Sequence, residues 1–308
     1  MTLVSLILAF VVEQLRPLDG ARYVSAPLAR LADFFQHRFN DGIVRHGTLA
    51  WLLAVLPPVV AVGAIHFFLH EAQPLLALCW DVAVLYLGMG FRRHSQAFAD
   101  IQAALRMGEL ERARALLGRW RGHLEDRASS EEVARLSIEQ ALLASHRSVF
   151  AVVFWMVVLP GPAGVVLYRM AEFLGERWAG RADPELRAFG WFAVRAFEAI
   201  DWLPARITAA SFAIVGDFED AIYCWRAQAA RWADRASGIL LASGAGALGV
   251  RLGMPVYESG EIVERPEIGL GDDADADYMQ SAIGLIWRTV VLCLLILALL
   301  TVATWVGN

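Results

Sequence analysis

The sequence predicts an all-α integral membrane protein with about four to six transmembrane or re-entrant helices, some of them broken by proline, and with helical cytoplasmic loops. Hydrophobic residues make up 57% of the 308 residues, and the mean hydropathy is +0.48. Several apolar stretches approach the roughly 20 residues that a helix needs to cross a hydrocarbon core of about 30 Å. We expect residues 1–308 to form a single integral membrane domain with cytoplasmic excursions at about 92–148, 176–199 and 217–285.

The first third of the chain predicts an N-terminal helix, an interfacial segment and two spans. Residues 2–15 are apolar but lack the basic region and cleavage site of a signal peptide. Residues 16–47 carry five arginines among apolar positions, which is typical of an amphipathic segment at the membrane surface. Spans follow at about 48–69 and 75–91. Asp81 in the second span either serves a function or sits protonated or paired across helices.

The segment 92–148 is polar, helical in pattern and rich in basic residues. It contains ten arginines, and an excess of basic residues near span ends places a loop in the cytoplasm. Within it, GELERARALLGRWRG sets glutamates three residues before arginines, a spacing that predicts ion pairs on a solvated helix face. Ser129 and Glu132 have the spacing of a capping box, so a second helix is expected to begin there.

The stretch from Phe150 to Gly175 resembles a transmembrane helix that is broken in the middle. Two apolar halves flank Pro160-Gly161-Pro162, and the second half ends in polar residues. Backbone groups released by a proline are tolerated at membrane depth only inside protein or beside a wet cavity. The polar end with Tyr168 and Arg169 is therefore either a candidate site beside a cavity or an interfacial anchor after a packing kink.

The last third alternates between polar and apolar segments. Residues 176–199 are expected to form a polar helical hairpin, and 200–216 a short apolar segment broken by proline. Arg206 in that segment would be costly in lipid, so it faces a cavity, an acid or the headgroups. Residues 217–285 return to water, and 286–306 form the clearest span.

Several classes of site are not predicted by this sequence. The three cysteines lie far apart and are interpreted as buried thiols, while the seven histidines suggest no metal-ligating pattern. The glycine block at 243–253 lacks the spacing of known phosphate-binding loops. Neither a catalytic triad order nor a nucleic-acid-reading pattern is recognised, so we expect no nucleic-acid partner.

Several segments in matching order carry a family resemblance that covers roughly two thirds of the chain. They are Phe154-Trp155 followed by GPAGVVLYR (161–169), FGWFAVRAFEAIDWLPARITA (189–209), ALGVRLGMPVYESGEIVERPEIG (247–269), Arg93 with His94, and the ELERARALL helix. Together they resemble the CobD/CbiB family of membrane proteins from cobalamin biosynthesis.

The resemblance implies a multi-pass protein of the bacterial cytoplasmic (inner) membrane that joins cobyric acid to an aminopropanol phosphate through an amide bond. It implies ATP and Mg²⁺ as cofactors and a corrinoid as substrate or ligand, while the metal ligands and the oligomeric state stay unknown. Glu139 and Glu198 are the implied catalytic residues. The residues implied to bind substrate or phosphate are Arg93, His94, Tyr168, Arg169, Arg206, Arg251, Glu264 and Arg265.

The chain also departs from the family pattern at acidic positions. Leu143, Ala144 and Arg147 stand where the family has a Glu, an Asn and an Asp, and Phe197-Glu198 stands in place of Asp-Asp. The amino-terminal Gly-Asp-Pro signature is replaced by VEQLRPLDG (12–20). Losing several carboxylates lowers the affinity of a site for Mg²⁺. The same replacements resemble the AmpE proteins, so the alternative is a catalytically degenerate inner-membrane sensor linked to β-lactamase regulation.

Overall fold

The computed structural model describes residues 2–15, 24–122, 127–179, 183–258 and 261–306, most of which are helical. The helices of this part of the chain are α1 (Thr2–Leu15), α2 (Ala26–Phe39), α3 (Val44–Ala72), α4 (Pro74–Gly88), α5 (Phe91–Arg106), α6 (Leu110–Arg121), α7 (Ser130–Ser145), α8 (Ala151–Val158), α9 (Ala163–Arg177), α10 (Pro184–Val215), α11 (Phe218–Gln228), α12 (Arg235–Leu248) and α13 (Ala276–Val306). The short strands are β1 (Val250–Gly253), β2 (Val256–Glu258), β3 (Glu261–Val263), β4 (Glu267–Gly269) and β5 (Asp272–Asp273).

Four helical stretches are long and apolar enough to cross a membrane. They are Val44–Ala72, Pro74–Arg106, Ser130–Val158 and Ala276–Ala303, whereas α1 is apolar but shorter. The prediction of an all-α, multi-pass membrane protein is therefore confirmed. The two adjacent prolines of α3, Pro57 and Pro58, leave that helix continuous.

Contacts between the helices divide the chain into two compact units. Unit 1 comprises Met1–Gly90 and Ala151–Pro204, and unit 2 comprises Phe91–Phe150 and Ala205–Asn308. Helix α10 contributes its first part to unit 1 and its last part to unit 2. The single integral domain expected from the sequence stays a prediction.

Unit 1 is organised around aromatic residues from α3, α9 and α10. The rings of Trp178 and Phe189 meet edge to face with their centroids 4.9 Å apart, and Trp51 and Leu174 belong to the same buried cluster. Gly47 allows close packing of the backbones, because a Cβ atom there would lie 1.8 Å from the carbonyl oxygen of Phe189. Tight helix contact through glycine is typical of membrane helices, where small residues drive association.

The stretch 150–175 forms a helical hairpin, and the prediction of one broken span is wrong. A Cβ atom on Gly164 in α9 would lie 2.0 Å from the carbonyl oxygen of Trp155 in α8. In a continuous helix, residues nine apart are separated by about 13 Å. The reversal occurs at 159–162, where Gly161 has a φ of +60° that suits glycine and the flanking prolines cannot continue a helical ladder.

The third span begins earlier than the sequence suggested. Helix α7 continues through a π-helical turn, His146–Phe150, into α8, so the apolar stretch Ser130–Val158 starts inside the predicted loop 92–148. Hydropathy did not indicate this earlier start, because polar residues lower the mean hydropathy of a stretch even where they are paired within the protein. The predicted capping box is confirmed, since Ser129 Oγ accepts from the Glu132 N–H at 3.1 Å and Glu132 accepts from the Ser129 N–H at 2.9 Å.

Two further boundaries differ from the expectation. Helix α10 runs unbroken through Pro204, so the break expected within 200–216 does not occur. Of the polar hairpin expected at 176–199, residues 180–182 lie outside the described residues, and residues 184–199 form the first half of α10. The final helix begins at Ala276 and not at 286. Of the predicted interfacial segment, residues 16–23 lie outside the described residues, while α2 covers the next part.

The glycine block of unit 2 belongs mostly to a buried helix. A Cβ atom at Gly246 in α12 would lie 2.4 Å from the carbonyl oxygen of Asp220 in α11, so the two helices touch through their backbones. The block therefore serves helix packing here, and it leads directly into β1 after Gly249, whose φ is +67°.

Two small sheets follow α12, and the sequence reasoning missed them. Strand β1 lies between β4 and β5, antiparallel to β4 and parallel to β5, and β2 pairs with β3 as a hairpin. Val250 and Leu252 are buried while Arg251 between them is half-exposed, which is the alternation of a strand with one buried face. The strands are too short for a periodicity argument to detect.

Of the three cysteines, only Cys224 on α11 is fully buried, whereas Cys79 is exposed and Cys293 is partly exposed. Burial, followed by repulsion from Asp220, raises the pKa of the Cys224 thiol to about 11. Because the thiolate is the reactive form, we expect Cys224 to react with iodoacetamide at pH 8 at least about 100-fold more slowly in the folded protein than in urea.

The measurement uses the full chain with Cys79→Ser and Cys293→Ser and follows alkylation by mass spectrometry. The rate should rise about tenfold per pH unit up to the raised pKa, since each unit adds tenfold more thiolate. A rate that levels off below pH 10 would show that the thiol is not perturbed. The raised pKa also makes the stability of the protein depend on pH. The contribution of the neutral thiol to the free energy of unfolding is fully present below the ordinary pKa of a thiol, and it is lost as the pH rises toward 11.

Candidate functional site

In unit 2, the buried Glu139 on α7 binds Arg265 and the backbone after β1. Arg265 Nη1 donates to Glu139 Oε2 at 2.8 Å, and the Gly253 N–H donates to Glu139 Oε1 at 2.8 Å. Arg265 also donates through Nε to the Met254 carbonyl at 3.1 Å and through Nη2 to the Gly253 carbonyl at 3.2 Å. The carboxylate and the guanidinium together fasten the turn after β1 to helix α7.

The turn at 253–255 has an unusual backbone conformation. Gly253 has a φ of +79°, and Met254 has a φ of +65°, the one positive φ of a non-glycine residue in the described part of the chain. A Cβ atom at Gly253 would lie 2.1 Å from the Pro266 carbonyl oxygen. Strained backbone of this kind persists where several contacts hold it, and it is common at functional sites.

Two more arginines belong to this part of unit 2, Arg135 in contact with the turn and Arg251 two residues before it, and with Arg265 we call them the arginine cluster. Arg135 on α7 is only 8% exposed, and its Nη1 lies 3.2 Å from Met254 Sδ. Arg251 on β1 pairs with Asp273 at 2.9 Å. Arg135 also lies within electrostatic range of Arg265 and Asp273.

The arginine cluster contains donors that the described protein groups do not satisfy. The Nε–H groups of Arg135 and Arg251 are buried and have no hydrogen-bond acceptor among the residues that the structure describes. A buried donor without an acceptor costs free energy, so such groups are rare and call for an explanation. A phosphate or carboxylate ligand supplies acceptors of the geometry that guanidinium groups bind.

The other predicted site residues of unit 2 are not gathered around this turn by any described contact. Arg93 is exposed and makes no ion pair within the described ranges. His94 Nδ1 accepts a hydrogen bond from Trp120 Nε1 at 2.9 Å. Partial burial, followed by repulsion from Arg235, lowers the pKa of Arg206. Glu264 is exposed immediately before Arg265.

The predicted site residues of unit 1 have partners within that unit. Tyr168 is fully buried and donates to Asp201 at 3.0 Å. Arg169 donates to the Gly88 carbonyl at the end of α4 and, at 2.6 Å, to Glu172. Glu198 is exposed and accepts from Arg195 at 2.8 Å. The roles of Tyr168, Arg169 and Glu198 in binding or catalysis stay predictions.

The spans of unit 1 contain a histidine–aspartate pair, of which the sequence analysis singled out the aspartate but not the histidine. Asp81 on α4 accepts from, or shares a proton with, His66 Nδ1 of α3 at 2.7 Å, which is the pairing across helices that the sequence left open. His66 stacks on His70 at a centroid distance of 6.0 Å. The two histidines are four residues apart, a spacing that places them on one helix face and that the sequence reasoning overlooked.

The acidic residues of the described ranges do not assemble a metal centre. Among these residues, no group of three or more His, Cys, Asp or Glu side chains could hold a metal ion. Glu139 is occupied by Arg265 and the Gly253 N–H. The requirement for Mg²⁺ that the family resemblance implies stays a prediction.

Comparison with known proteins shows which family this chain resembles. The sequence model of the CobD/Cbib protein family matches residues 7–286. A cobalamin biosynthesis protein CobD of Stutzerimonas stutzeri is 35% identical over 272 residues, covering 87% of this chain and 88% of its own length. One of Chromobacterium violaceum is 37% identical over 243 residues, covering 79% and 75%. A protein CbiB of Salmonella arizonae is 25% identical over 280 residues, covering 87% of each chain. No solved structure matches. The AmpE-like alternative gains no support from these relatives.

Proposed function

The chain belongs to the CobD/CbiB family of cobalamin biosynthesis proteins, and from this premise we propose that it forms an amide bond between a carboxylate of cobyric acid and an aminopropanol phosphate, driven by ATP. The proposal places the protein in the bacterial cytoplasmic membrane, with a corrinoid as its substrate. The proposed substrates are those that the family resemblance of this chain implies.

The main support for this class of reaction is the arginine cluster, which contains hydrogen-bond donors without acceptors. ATP, the aminopropanol phosphate and the corrinoid all present phosphate or carboxylate oxygens. Arg135 and Arg251 each hold a buried Nε–H without an acceptor in the described part of the protein. An oxyanion bound beside either arginine would supply an acceptor for its Nε–H. Guanidinium forks match phosphate and carboxylate geometry better than ammonium groups do.

The chemistry assigns a limited task to these side chains. A carboxylate and an amine do not condense in water without activation, so ATP must carry one carboxylate oxygen away on phosphate. The arginines then neutralise charge that accumulates on the transferred oxygens, which is the main source of catalysis in such transfers. Glu139 acts as a positioning residue, because it holds Arg265 and the 253–255 turn in place.

Magnesium enters this proposal with the nucleotide. Mg²⁺ keeps several waters and is commonly bound through substrate phosphates with one or two carboxylates. The replacement of family acids by Leu143, Ala144 and Arg147 is compatible with that arrangement, since no group of three or more His, Cys, Asp or Glu side chains among the described residues could hold a metal ion. No step is assigned to a metal bound by the protein alone.

The test is complementation of a bacterial strain that lacks its own protein of this family and grows only on cobalamin made from cobyric acid. We expect this chain to restore growth. We further expect Arg135→Gln and Arg251→Gln each to lower the rate of corrinoid amide formation in isolated membranes by about 10- to 100-fold, the value of a charge-assisted hydrogen bond.

The matched control is Arg119→Gln, because Arg119 is an exposed arginine of α6 that bonds only to its own helix, at the Ala115 carbonyl, among the described residues. This variant should retain full activity. Expression is followed by immunoblot of the membrane fraction. Absence of growth with wild-type protein that is well expressed would overturn the proposed reaction.

A further inference from the structure

The guanidinium group of Arg251 on β1 lies between carboxylates from both neighbouring strands. Its Nη2 donates to Asp273 Oδ1 on β5 at 2.9 Å, and its Nη1 lies 3.8 Å from Glu267 Oε1 on β4. The strand pairing sets this arrangement, because Arg251 and Asp273 are register partners in the parallel ladder of β1 and β5. Two negative charges therefore face one positive charge, and the protein itself more than neutralises the cation to which the proposed function assigns an oxyanion.

The hydrogen bonds of Arg251 leave one edge of the guanidinium group half used. Nε and Nη2 lie on the same edge with parallel N–H bonds, so one oxyanion can accept from both. Asp273 accepts from Nη2, while the buried Nε–H has no acceptor among the described residues. Arg177 in unit 1 shows the same edge fully used, since its Nε and Nη2 both donate to Asp33 Oδ1, at 3.0 and 2.7 Å. The contact between Arg251 and Asp273 is an incomplete version of that arrangement.

The ion pair between Arg251 and Asp273 is weak enough to be exchanged. The two side chains are 38% and 60% exposed, and exposed ion pairs contribute little to stability because water and salt screen them. A ligand that accepts from both Nε and Nη2 makes one more charge-assisted hydrogen bond than Asp273 makes. Exchange of Asp273 for such a ligand is therefore favoured by an added hydrogen bond and opposed by a weak ion pair.

The competing carboxylate also indicates which class of oxyanion can take its place. Asp273 is held beside Arg251 by its own chain, so it competes at a high effective concentration. A free carboxylate offers the arginine the same charge and the same two oxygens as Asp273. A phosphate monoester carries about −1.5 to −2 charges at pH 7 and three acceptor oxygens. Asp273 also lies within electrostatic range of Arg135, so a more highly charged group in its place is attracted by a second arginine.

We propose that Arg251 binds a phosphate group of a substrate at its Nε–Nη2 edge, and that Asp273 occupies this edge until the phosphate displaces it. Asp273 thereby lowers the affinity of the arginine cluster for phosphate and excludes ligands that offer a single carboxylate. The inference rests on the proposed function, in which ATP and the aminopropanol phosphate carry such groups. It narrows that function, because Arg251 is assigned to a phosphate and the carboxylates of the corrinoid are left to other residues.

The test measures the binding of radiolabelled pyrophosphate to the detergent-purified full chain by equilibrium dialysis. We expect Asp273→Asn to bind pyrophosphate about threefold to fivefold more tightly than the wild type, the effect of removing one partner of an exposed ion pair. The asparagine keeps the shape of the side chain, and thermal unfolding without pyrophosphate checks that the variant is folded. Equal or weaker binding by Asp273→Asn, or no detectable binding by either protein, would overturn the proposal.

Asp272→Asn is the matched control, because it removes the same charge from the neighbouring residue. The Asp272 carboxylate accepts from Tyr278 Oη at 3.0 Å, and within the described ranges it makes no ion pair with Arg251. We expect the affinity of this variant for pyrophosphate to stay close to that of the wild type. Equal gains in Asp272→Asn and Asp273→Asn would show an effect of net charge alone and would contradict the displacement.

Two further comparisons locate the competition and identify the ligand class. In an Arg251→Gln background, Asp273→Asn should give no gain in affinity, because the cation for which aspartate and phosphate compete is absent. The same gain in that background would exclude Arg251 as the binding residue. Succinate should displace pyrophosphate from the wild type much less well than unlabelled inorganic phosphate does. Equal displacement by the two would contradict the assignment to phosphate.

The proposed reaction and the displacement of Asp273 can fail separately. If well-expressed wild type does not restore growth but Asp273→Asn still gains affinity for pyrophosphate, the amide-forming reaction is overturned and a phosphate site at Arg251 stands. If growth is restored and Asp273→Asn gains nothing, the reaction stands and the displacement is overturned.

Discussion

Replacement of Glu139 by alanine is expected to abolish activity and to lower the free energy of unfolding by about 3–5 kcal/mol, the cost of breaking a buried ion pair by removal of one partner. The loss follows from two groups left behind in a buried place. Arg265, whose side chain is 15% exposed, keeps its charge without a carboxylate, and the Gly253 N–H loses its acceptor. Thermal unfolding in detergent and the complementation strain provide the two measurements.

The substitution Glu139→Gln separates charge from hydrogen bonding. The amide oxygen can still accept from Gly253, so we expect an intermediate loss of stability. The pair Glu139→Leu with Arg265→Met should recover most of the stability, because apolar replacement of a whole buried ion pair is often neutral. If Arg265 serves the reaction, activity stays lost in that double variant. Recovery of activity together with stability would reduce the pair to a purely structural role.

Glu198 offers the matched comparison for the second predicted catalytic acid. Its ion pair with Arg195 is exposed, and exposed pairs contribute about 0–1 kcal/mol. Glu198→Ala should therefore leave the unfolding temperature nearly unchanged. A loss of activity at unchanged stability would support the catalytic role that the family resemblance implies for Glu198, and full activity would remove it.

Much of the helical architecture followed from composition and periodicity, because a membrane span must satisfy its own backbone and be apolar over a known length. Spans near α3, α4 and α13 were located in this way. Helix α7 was assigned to a polar loop because its polar residues are counted by a hydropathy argument as if water surrounded them. Ser129, Arg135 and Glu139 instead find caps or partners within unit 2.

The candidate site shows the same limit. The family motifs selected Glu139, Arg251 and Arg265, and the structure brings Glu139 and Arg265 into contact across 126 positions of the chain. Arg135 was not selected, although it lies one helical turn before Glu139 and therefore on the same face of α7. A search for basic residues at that spacing from each candidate acid would have found it. The strain at Met254 has no signal in the sequence, because it arises from contacts with distant residues.

The hairpin of α8 and α9 leads to the second large expected effect, which concerns Gly164. Exchange of a helical glycine for alanine usually stabilises by up to about 1 kcal/mol, since alanine has the higher helix propensity. At Gly164 the new Cβ atom would lie 2.0 Å from the Trp155 carbonyl oxygen, which belongs to backbone and cannot rotate away. We expect Gly164→Ala to destabilise the protein by about 3 kcal/mol, the upper range for overpacking.

Gly284 in α13 is the matched control, because no atom lies within 4 Å of a Cβ built there. Gly284→Ala should therefore raise the unfolding temperature slightly or leave it unchanged, whereas Gly164→Ala lowers it. The opposite signs test the geometry of 150–175 directly. In a single broken span, Gly164 and Trp155 would be far apart and the alanine would be harmless. A stabilising Gly164→Ala would therefore restore the broken span that the sequence first suggested, and a destabilising one requires the chain to turn back at Pro160-Gly161-Pro162.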